Sequence, residues 1–409
     1  MTTQHTFQEF TGIQYLKIDV ANNFGLDKKD WDERLEWFEN NESTLESQVK
    51  NADDPALYYA AVKAYRKAQR KEIVQYPISL DATASGMQIL ACLTGDDEAA
   101  KVCNVINTGH RSDSYDVIYK HMLSILKTAA LVSKDKVKSA VMTSLYGSEA
   151  QPRDAFGEDT RELAQFYNTM ETLLPAVWEL NSYFLKIWDP KAYEYNWVMP
   201  DNYHVHIKVM AQSSTPVNFL GRQYNVEFKE NRPIEGGRSL SAHTAHSTDG
   251  MIVREMARRC MFNPLRIAIV RSAVAGTKHP LDKIELTGDD TDMVQTLWKL
   301  YEQSGFLSAR ILDHLGMDNM YLVDAEVIEE LLNELPKKRF EILTVHDCFR
   351  CLPNYGNDLR RQYNHLLTRI AKSDMLSFLL SQIQRKHVPI TKKNPDMWKE
   401  IEHANYSLC

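Results

Sequence analysis

Two short apolar stretches, residues 77–80 and 340–345, interrupt a chain that otherwise reads helical, and each runs into an aspartate, Asp81 and Asp347. Few strands among many helices predict an α+β architecture, mostly helical, with a carboxylate at the end of each decisive strand. After Asp81 the chain turns through residues 82–86 and resumes as a helix over 87–93. After Asp347, residues 348–352 read as the return strand, closed by Pro353.

Helical spacing covers residues 28–69 with a break at Pro55, then 114–131, 134–146 up to Gly147, a long helix at 161–188, and two more at 293–303 and 325–335. Between 203 and 228 the period changes to alternation (Tyr203, Val205, Ile207, Val209, Val217, Phe219, Tyr224, Val226, Phe228), which predicts a half-buried β-hairpin. No repeat and no low-complexity segment intervenes.

The formal charge of -7 argues against a surface that coats nucleic acid throughout, because non-specific affinity comes from neutralising phosphates. Any nucleic-acid site is therefore local, and carboxylates that hold metal ions add to the acidic count without repelling a substrate that arrives with magnesium. Six scattered cysteines suggest reduced thiols rather than a disulfide framework. No basic-then-apolar leader and no apolar run long enough for a bilayer is present, so a soluble intracellular protein without membrane contact is expected.

Asp81 and Asp347 stand beside small or polar neighbours, as ligands of hard cations do; a strand-end aspartate is also a common turn former or helix cap. Lys134 and Lys138, four residues apart, project from one helix face and suit a triphosphate, although with Lys136 they also fit a solvated face. The spacing of Lys63, Arg66, Lys67 and Arg70 fits a phosphate-tracking or a solvated helix face. Cys348 and Cys351 have CxxC spacing without a second pair.

The literal strings say more. KSAVMTSLYGS at 138–148 resembles the helix motif of the single-subunit RNA polymerases of T-odd phages and mitochondria. DATASGMQ at 81–88 and HDCFRCLP at 346–353 resemble that family's two aspartate motifs, in the right order. HSTDG at 246–250 resembles the segment where fingers return to palm, DSY at 113–115 an Asp-x-Tyr element of the fingers, and YLKIDVAN at 15–22 with ERLEWFENN at 33–41 the module before the first aspartate.

The resemblance implies a right-hand polymerase: a helical module at 1–75, palm at 76–100 and 247–409 with an insertion at about 265–338, and fingers at 101–246. It implies a DNA-dependent RNA polymerase in which Asp81, Asp347 and the Ala82 carbonyl bind two Mg2+ ions. Lys138 would hold the triphosphate and protonate the leaving group, Lys134 would stand one turn earlier, and Tyr146 and Tyr115 would line the nucleotide site. His346 would lie near the RNA 3′ end and His246 near the minor groove of the hybrid. Related DNA polymerases carry a glutamate where Gly86 stands, so Gly86 with Tyr146 implies ribonucleotides; a tight turn at positive φ is the other reading of Gly86. The hairpin at 203–228 falls where the family has a promoter-reading loop, and reads equally as a plain β-element of the fingers.

The family's N-terminal domain, thumb and Gly-Arg palm motif are expected to be absent. In length and motif content the chain resembles the larger subunit of the split middle-gene RNA polymerases of certain podoviruses. That resemblance implies a second subunit supplying the thumb and Gly-Arg motif, a DNA template, an RNA transcript, ribonucleoside triphosphates, a single-stranded-DNA-binding accessory factor, and the cytoplasm of an infected bacterial host. A related-family DNA polymerase, a metal-dependent phosphodiesterase and a catalytically silent nucleic-acid-binding subunit are the competing readings.

Overall fold

The computed structural model describes residues 6–126, 132–282 and 286–409. Helix α1 (Gly12–Ala21) opens on a capping box in which Thr11 and Gln14 satisfy each other's backbone N–H groups, and α2 (Trp31–Asn41) opens likewise on Asp30 and Glu33. A π-helical turn at Asn22–Leu26 joins them; a 3₁₀ stretch at Glu42–Asn51 leads to α3 (Pro55–Gln69), started by its Asp54 cap and first-turn proline. These helices bury Tyr15, Trp31, Phe38, Tyr58 and Tyr65 against one another and the body. On α3, Arg66 pairs with Glu46 at 2.8 Å and Arg70 with Glu72 at 2.5 Å. Half of the basic face is thus matched by the chain's own acids.

Strand β1 (Ile78–Asp81) feeds α4 (Ser85–Thr94) and α5 (Asp97–Val102). Then come α6 (Ser114–Leu126), α7 (Lys134–Ser144), α8 (Ala150–Phe156), α9 (Arg161–Leu173) and α10 (Pro175–Lys186). Residues 127–131 of the helix expected over 114–131 lie outside the described residues. The one helix expected over 161–188 is two, because Leu174, which precedes a proline, leaves helical geometry at φ -134 and ψ 51.

The alternating region also divides. Strand β2 (Glu194–Val198) pairs with β3 (His204–Lys208), and β4 (Met210–Phe219) with β5 (Arg222–Asn231), all antiparallel. The second hairpin projects from the body instead of being half buried: Phe219 is 62% exposed and Tyr224 49%. Alternation fixes a strand's two faces; it does not supply a layer to cover one of them.

Helix α11 (Ser239–Cys260) runs unbroken through residues 246–247, where fingers were expected to return to palm. Beyond it, α12 (Pro264–Val274), α13 (Gly288–Ser304) and α14 (Ala325–Glu334) gather round a core of their own that includes Ile267, Val270, Leu297, Ile311, Ile328 and Leu331. Residues 264–335 hold six Lys or Arg against thirteen Asp or Glu, which equals the charge imbalance of the whole chain. This unit is clamped to the body through buried polar groups. Glu334 accepts from Arg259 at 3.0 Å and Arg369 at 2.7 Å, and Glu255 accepts from Ser308 Oγ at 2.5 Å and the Ala309 N–H at 2.8 Å.

Strands β6 (Ile342–Val345) and β7 (Cys348–Cys351) then form a tight hairpin, followed by α15 (Gly356–Lys372), α16 (Met375–Gln384) and the short α17 (Trp398–Ile401). The central sheet has the order β1-β7-β6, antiparallel throughout. Ile78, Leu80, Ile342, Phe349 and Cys351 are buried; α1, α11 and α15 pack against this small sheet, and α4 packs on α11 and α15. Tyr363 on α15 donates to Gln88 on α4 at 2.8 Å in the buried layer.

Candidate active site

The register of β1 on β7 places Asp81 opposite Cys348, and the two-residue turn of the β6–β7 hairpin is His346–Asp347. His346 takes the left-handed conformation at φ 54, which such turns require. The N–H of Ala82 donates to the Asp347 carbonyl at 3.2 Å, so the two aspartates stand on neighbouring strand ends. On the other side, Asp81 exchanges both backbone hydrogen bonds with Cys409 at 3.2 and 2.9 Å, and Ala82 bridges Leu408. In extended backbone the N–H and C=O of one residue point the same way. The Ala82 carbonyl therefore faces the Asp347 edge.

Burial first, and then the carboxylate of Asp347, pushes the Asp81 carboxyl up to about 6; Asp27 adds to this and Arg111 and Arg350 oppose it. Asp249 on α11 is raised as well, by burial and then by Asp347, against His246 and His346. Crowded negative charge with hard carboxylate oxygen donors fits magnesium. No three His, Cys, Asp or Glu side chains among the described residues converge into a metal cage.

Across a cleft of about 390 Å³ from Asp81 and Ala82 stand Lys134 and Lys138. Ser133 caps α7 at its first turn. Lys134 Nζ lies 2.7 Å from Asp113 Oδ2 and 3.3 Å from Asp116 Oδ1, and Lys138 Nζ lies 5.7 Å from the centre of the Tyr115 ring. A larger cavity of about 670 Å³ between α10 and α16 carries none of these groups.

Tyr146 follows α7. The last carbonyls of that helix are satisfied from outside, Ser144 by Asn181 Nδ2 at 2.8 Å and Leu145 by Ser241 Oγ at 3.0 Å. The Tyr146 ring lies 5.0 Å from that of His246, and its hydroxyl occupies the space next to Gly86. Gly86 sits within α4 and is not among the residues at positive φ. The tight-turn reading of Gly86 therefore falls, and the close approach remains.

Asp81, Ala82, Tyr115, Lys134 and Lys138 thus line one cleft, His346 and Asp347 form the turn beside Asp81, and Tyr146 lies against Gly86 and His246. Sequence reasoning did not single out Asp113, which holds Lys134, or Asp249. Both lay inside quoted motifs, and their carboxylate character was the available signal. Cys348 and Cys351, three apart on one strand, point to opposite faces, so they make no metal pair. Tyr406 does not reach the cleft: it stacks on Trp31 at 5.4 Å and accepts from the Trp31 N–H at 3.1 Å.

Residues 8–187 match the family described as DNA-dependent RNA polymerase. That span includes Asp81, Gly86, Lys138 and Tyr146 and ends before Asp347. The mitochondrial DNA-directed RNA polymerase of Schizosaccharomyces pombe is 31% identical over 163 residues, covering 33% of this chain and 14% of that protein. A probable DNA-directed RNA polymerase of Neurospora crassa is 30% identical over 161 residues, 34% of this chain and 18% of that protein. T7 RNA polymerase of Escherichia phage T7 is 25% identical over 136 residues, 30% of this chain and 15% of that protein. In each case the matched length is a small part of the relative.

Proposed function

We propose that this chain carries the catalytic centre of a DNA-dependent RNA polymerase of the phage and mitochondrial type. The observation that carries the reading is the pairing of β1 with β7, which sets Asp81 beside the Asp347 turn and across one cleft from Lys134 and Lys138. On this reading Asp81, Asp347 and the Ala82 carbonyl would hold two magnesium ions, which would acidify the attacking 3′ hydroxyl and neutralise charge on the departing pyrophosphate. Lys134 and Lys138 bind the triphosphate, and Lys138 gives the leaving group its proton. Tyr146 and Tyr115 line the nucleotide site. Gly86 gives its space to the Tyr146 hydroxyl, a group that can hydrogen-bond near a ribose, so a DNA polymerase is the less suited alternative. His346 lies by the transcript's 3′ end and His246 by the hybrid. Most of the rate arises from positioning and charge stabilisation.

The small sheet with α4, α11 and α15 is then the palm, and α6 to α10 with the two hairpins are the fingers, the exposed β4–β5 pair standing where a promoter-reading loop is expected. The acidity of residues 264–335 suits a scaffold or protein contact better than a template-strand contact, since phosphates repel it. We further propose a second polypeptide supplying thumb and Gly-Arg motif, a single-stranded-DNA-binding accessory factor, and transcription of phage genes in the cytoplasm of an infected bacterium. The test is primer extension on an RNA–DNA hybrid with magnesium, with ribonucleotides and deoxyribonucleotides offered separately, using the chain alone and with its co-purifying protein. Ribonucleotide addition that disappears in Asp347→Ala supports the polymerase. No addition under any condition leaves the silent binding subunit as the better reading.

A further inference from the structure

The loop between α5 and α6 links the aspartate-bearing strand end to the lysine-bearing helix by hydrogen bonds alone. Thr83, next to Ala82, accepts through its hydroxyl from Asn104 Nδ2 at 3.1 Å. The same amide donates to the Ser112 carbonyl at 2.8 Å, and Asn104 Oδ1 accepts from the Ser112 N–H at 2.7 Å. Asn104 is buried and held at φ 63, so this clamp does not drift. The next residue, Asp113, uses one oxygen to cap α6, accepting from the N–H groups of Tyr115 at 3.2 Å and Asp116 at 3.3 Å. Its other oxygen takes Lys134 at 2.7 Å.

We propose that Asp113 is a positioning residue for Lys134, with Asn104 as the spacer that sets the distance from that ammonium to the Asp81 and Asp347 carboxylates. This rests on the nucleotidyl-transfer reading of the cleft. A lysine loses rotamer freedom when it grips phosphate, and one already held has lost it beforehand. The Asp113 side chain is only 15% exposed, and its cap bonds fix the carboxylate, so it is a rigid anchor and not a mobile surface partner. The Lys134 side chain is 39% exposed and lines the cleft. An ammonium engaged by Asp113 and Asp116 keeps a further donor for a phosphate oxygen. The opposite arrangement, in which Asp113 competes with phosphate for Lys134, predicts the reverse sign.

The experiment uses the full chain and compares wild type with Asp113→Asn, Asp113→Glu, Asn104→Ala, Lys134→Ala and the Asp113→Asn/Lys134→Ala double variant. Asparagine keeps an oxygen for the α6 cap and loses the charge, and thermal melting checks that each variant folds. Asp113→Asn raises KM for ribonucleotide addition, and the Kd of ATP, about tenfold, with kcat nearly unchanged and adenosine binding unaffected. Glutamate restores part of the loss, Asn104→Ala reproduces part of it, and the double variant is no worse than Lys134→Ala alone. An unchanged or lowered KM and Kd in a folded Asp113→Asn overturns the proposal, as does equal weakening of adenosine. A wild-type chain that binds ATP yet extends no primer overturns the polymerase reading and leaves the positioning role standing if the ATP shifts hold; one that does neither overturns both.

Discussion

The hydroxyl of Tyr146 fills the space in which a side chain on Gly86 would begin: a Cβ there would lie 3.2 Å from Tyr146 Cζ and overlap the oxygen. Two residues 60 positions apart in the sequence are thus in direct contact, and a side chain at position 86 would displace the tyrosine hydroxyl. Gly86→Ala is expected to push Tyr146 aside and raise KM for ribonucleotides, measured by steady-state extension. Tyr146→Phe keeps the ring on His246 and removes a hydroxyl able to hydrogen-bond near the sugar. The ratio of kcat/KM for ribo- over deoxyribonucleotides should fall about tenfold. A ratio unchanged in Tyr146→Phe would remove the tyrosine from sugar discrimination.

Asp347→Ala removes a carboxylate from the tip of the β6–β7 hairpin, while the Asp347 carbonyl that receives the Ala82 N–H is backbone and stays. The variant should therefore fold with little change in melting temperature and lose nucleotide addition by about a thousandfold or more. Single-turnover extension beside circular dichroism tests both halves. Loss of fold together with activity would make Asp347 a structural residue.

Asp19 is buried beside β1, accepting from the Ser79 N–H at 2.9 Å and the Tyr76 hydroxyl at 2.7 Å. Burial outweighs these bonds and pushes its carboxyl from 3.8 up to about 6. Between those values the folded chain keeps a proton that the unfolded chain has released, so this group's contribution falls as pH rises through about 4 to 6. Relative to Asp19→Asn, the wild type should lose about 3 kcal/mol across that window. Urea unfolding of both proteins at several pH values reads the difference, and parallel curves would contradict it.

Glu334 joins α14 to α11 and α15 through Arg259 and Arg369, and the Arg259 side chain is only 2% exposed. Glu334→Gln removes that guanidinium's nearest counter-charge, leaving only the weaker influence of Glu255, and should destabilise the chain by about 3 kcal/mol. Residues 264–335 should become the first site of limited proteolysis. Unchanged unfolding and cleavage would show that the separate core alone holds this unit in place.

Much of the site was legible because its signals are local. Asp81 and Asp347 stood where apolar runs ended, the α7 lysines stood at helical spacing, and the caps at Thr11, Asp30 and Asp54 start their helices where a side-chain oxygen finds backbone N–H groups. Pro175 was equally local, yet the amphipathic period on both sides of it hid the break. The alternation of residues 203–228 read as one half-buried hairpin, whereas the division into two hairpins and the exposure of the second depended on which strands pair and whether a layer packs over them.

The sequence by itself determined most of the helical and strand segments and the order of the motifs, because those follow from periodicity, capping and residue type within a few turns of chain. Only the tertiary structure decided that β1 pairs with β7, that Asp113 holds Lys134, that Tyr146 fills the space beside Gly86, and that Asp249 adds its charge to that of Asp347. Those relations join residues tens to hundreds of positions apart, and their free energy comes from burial and register across the whole body, which no local pattern encodes.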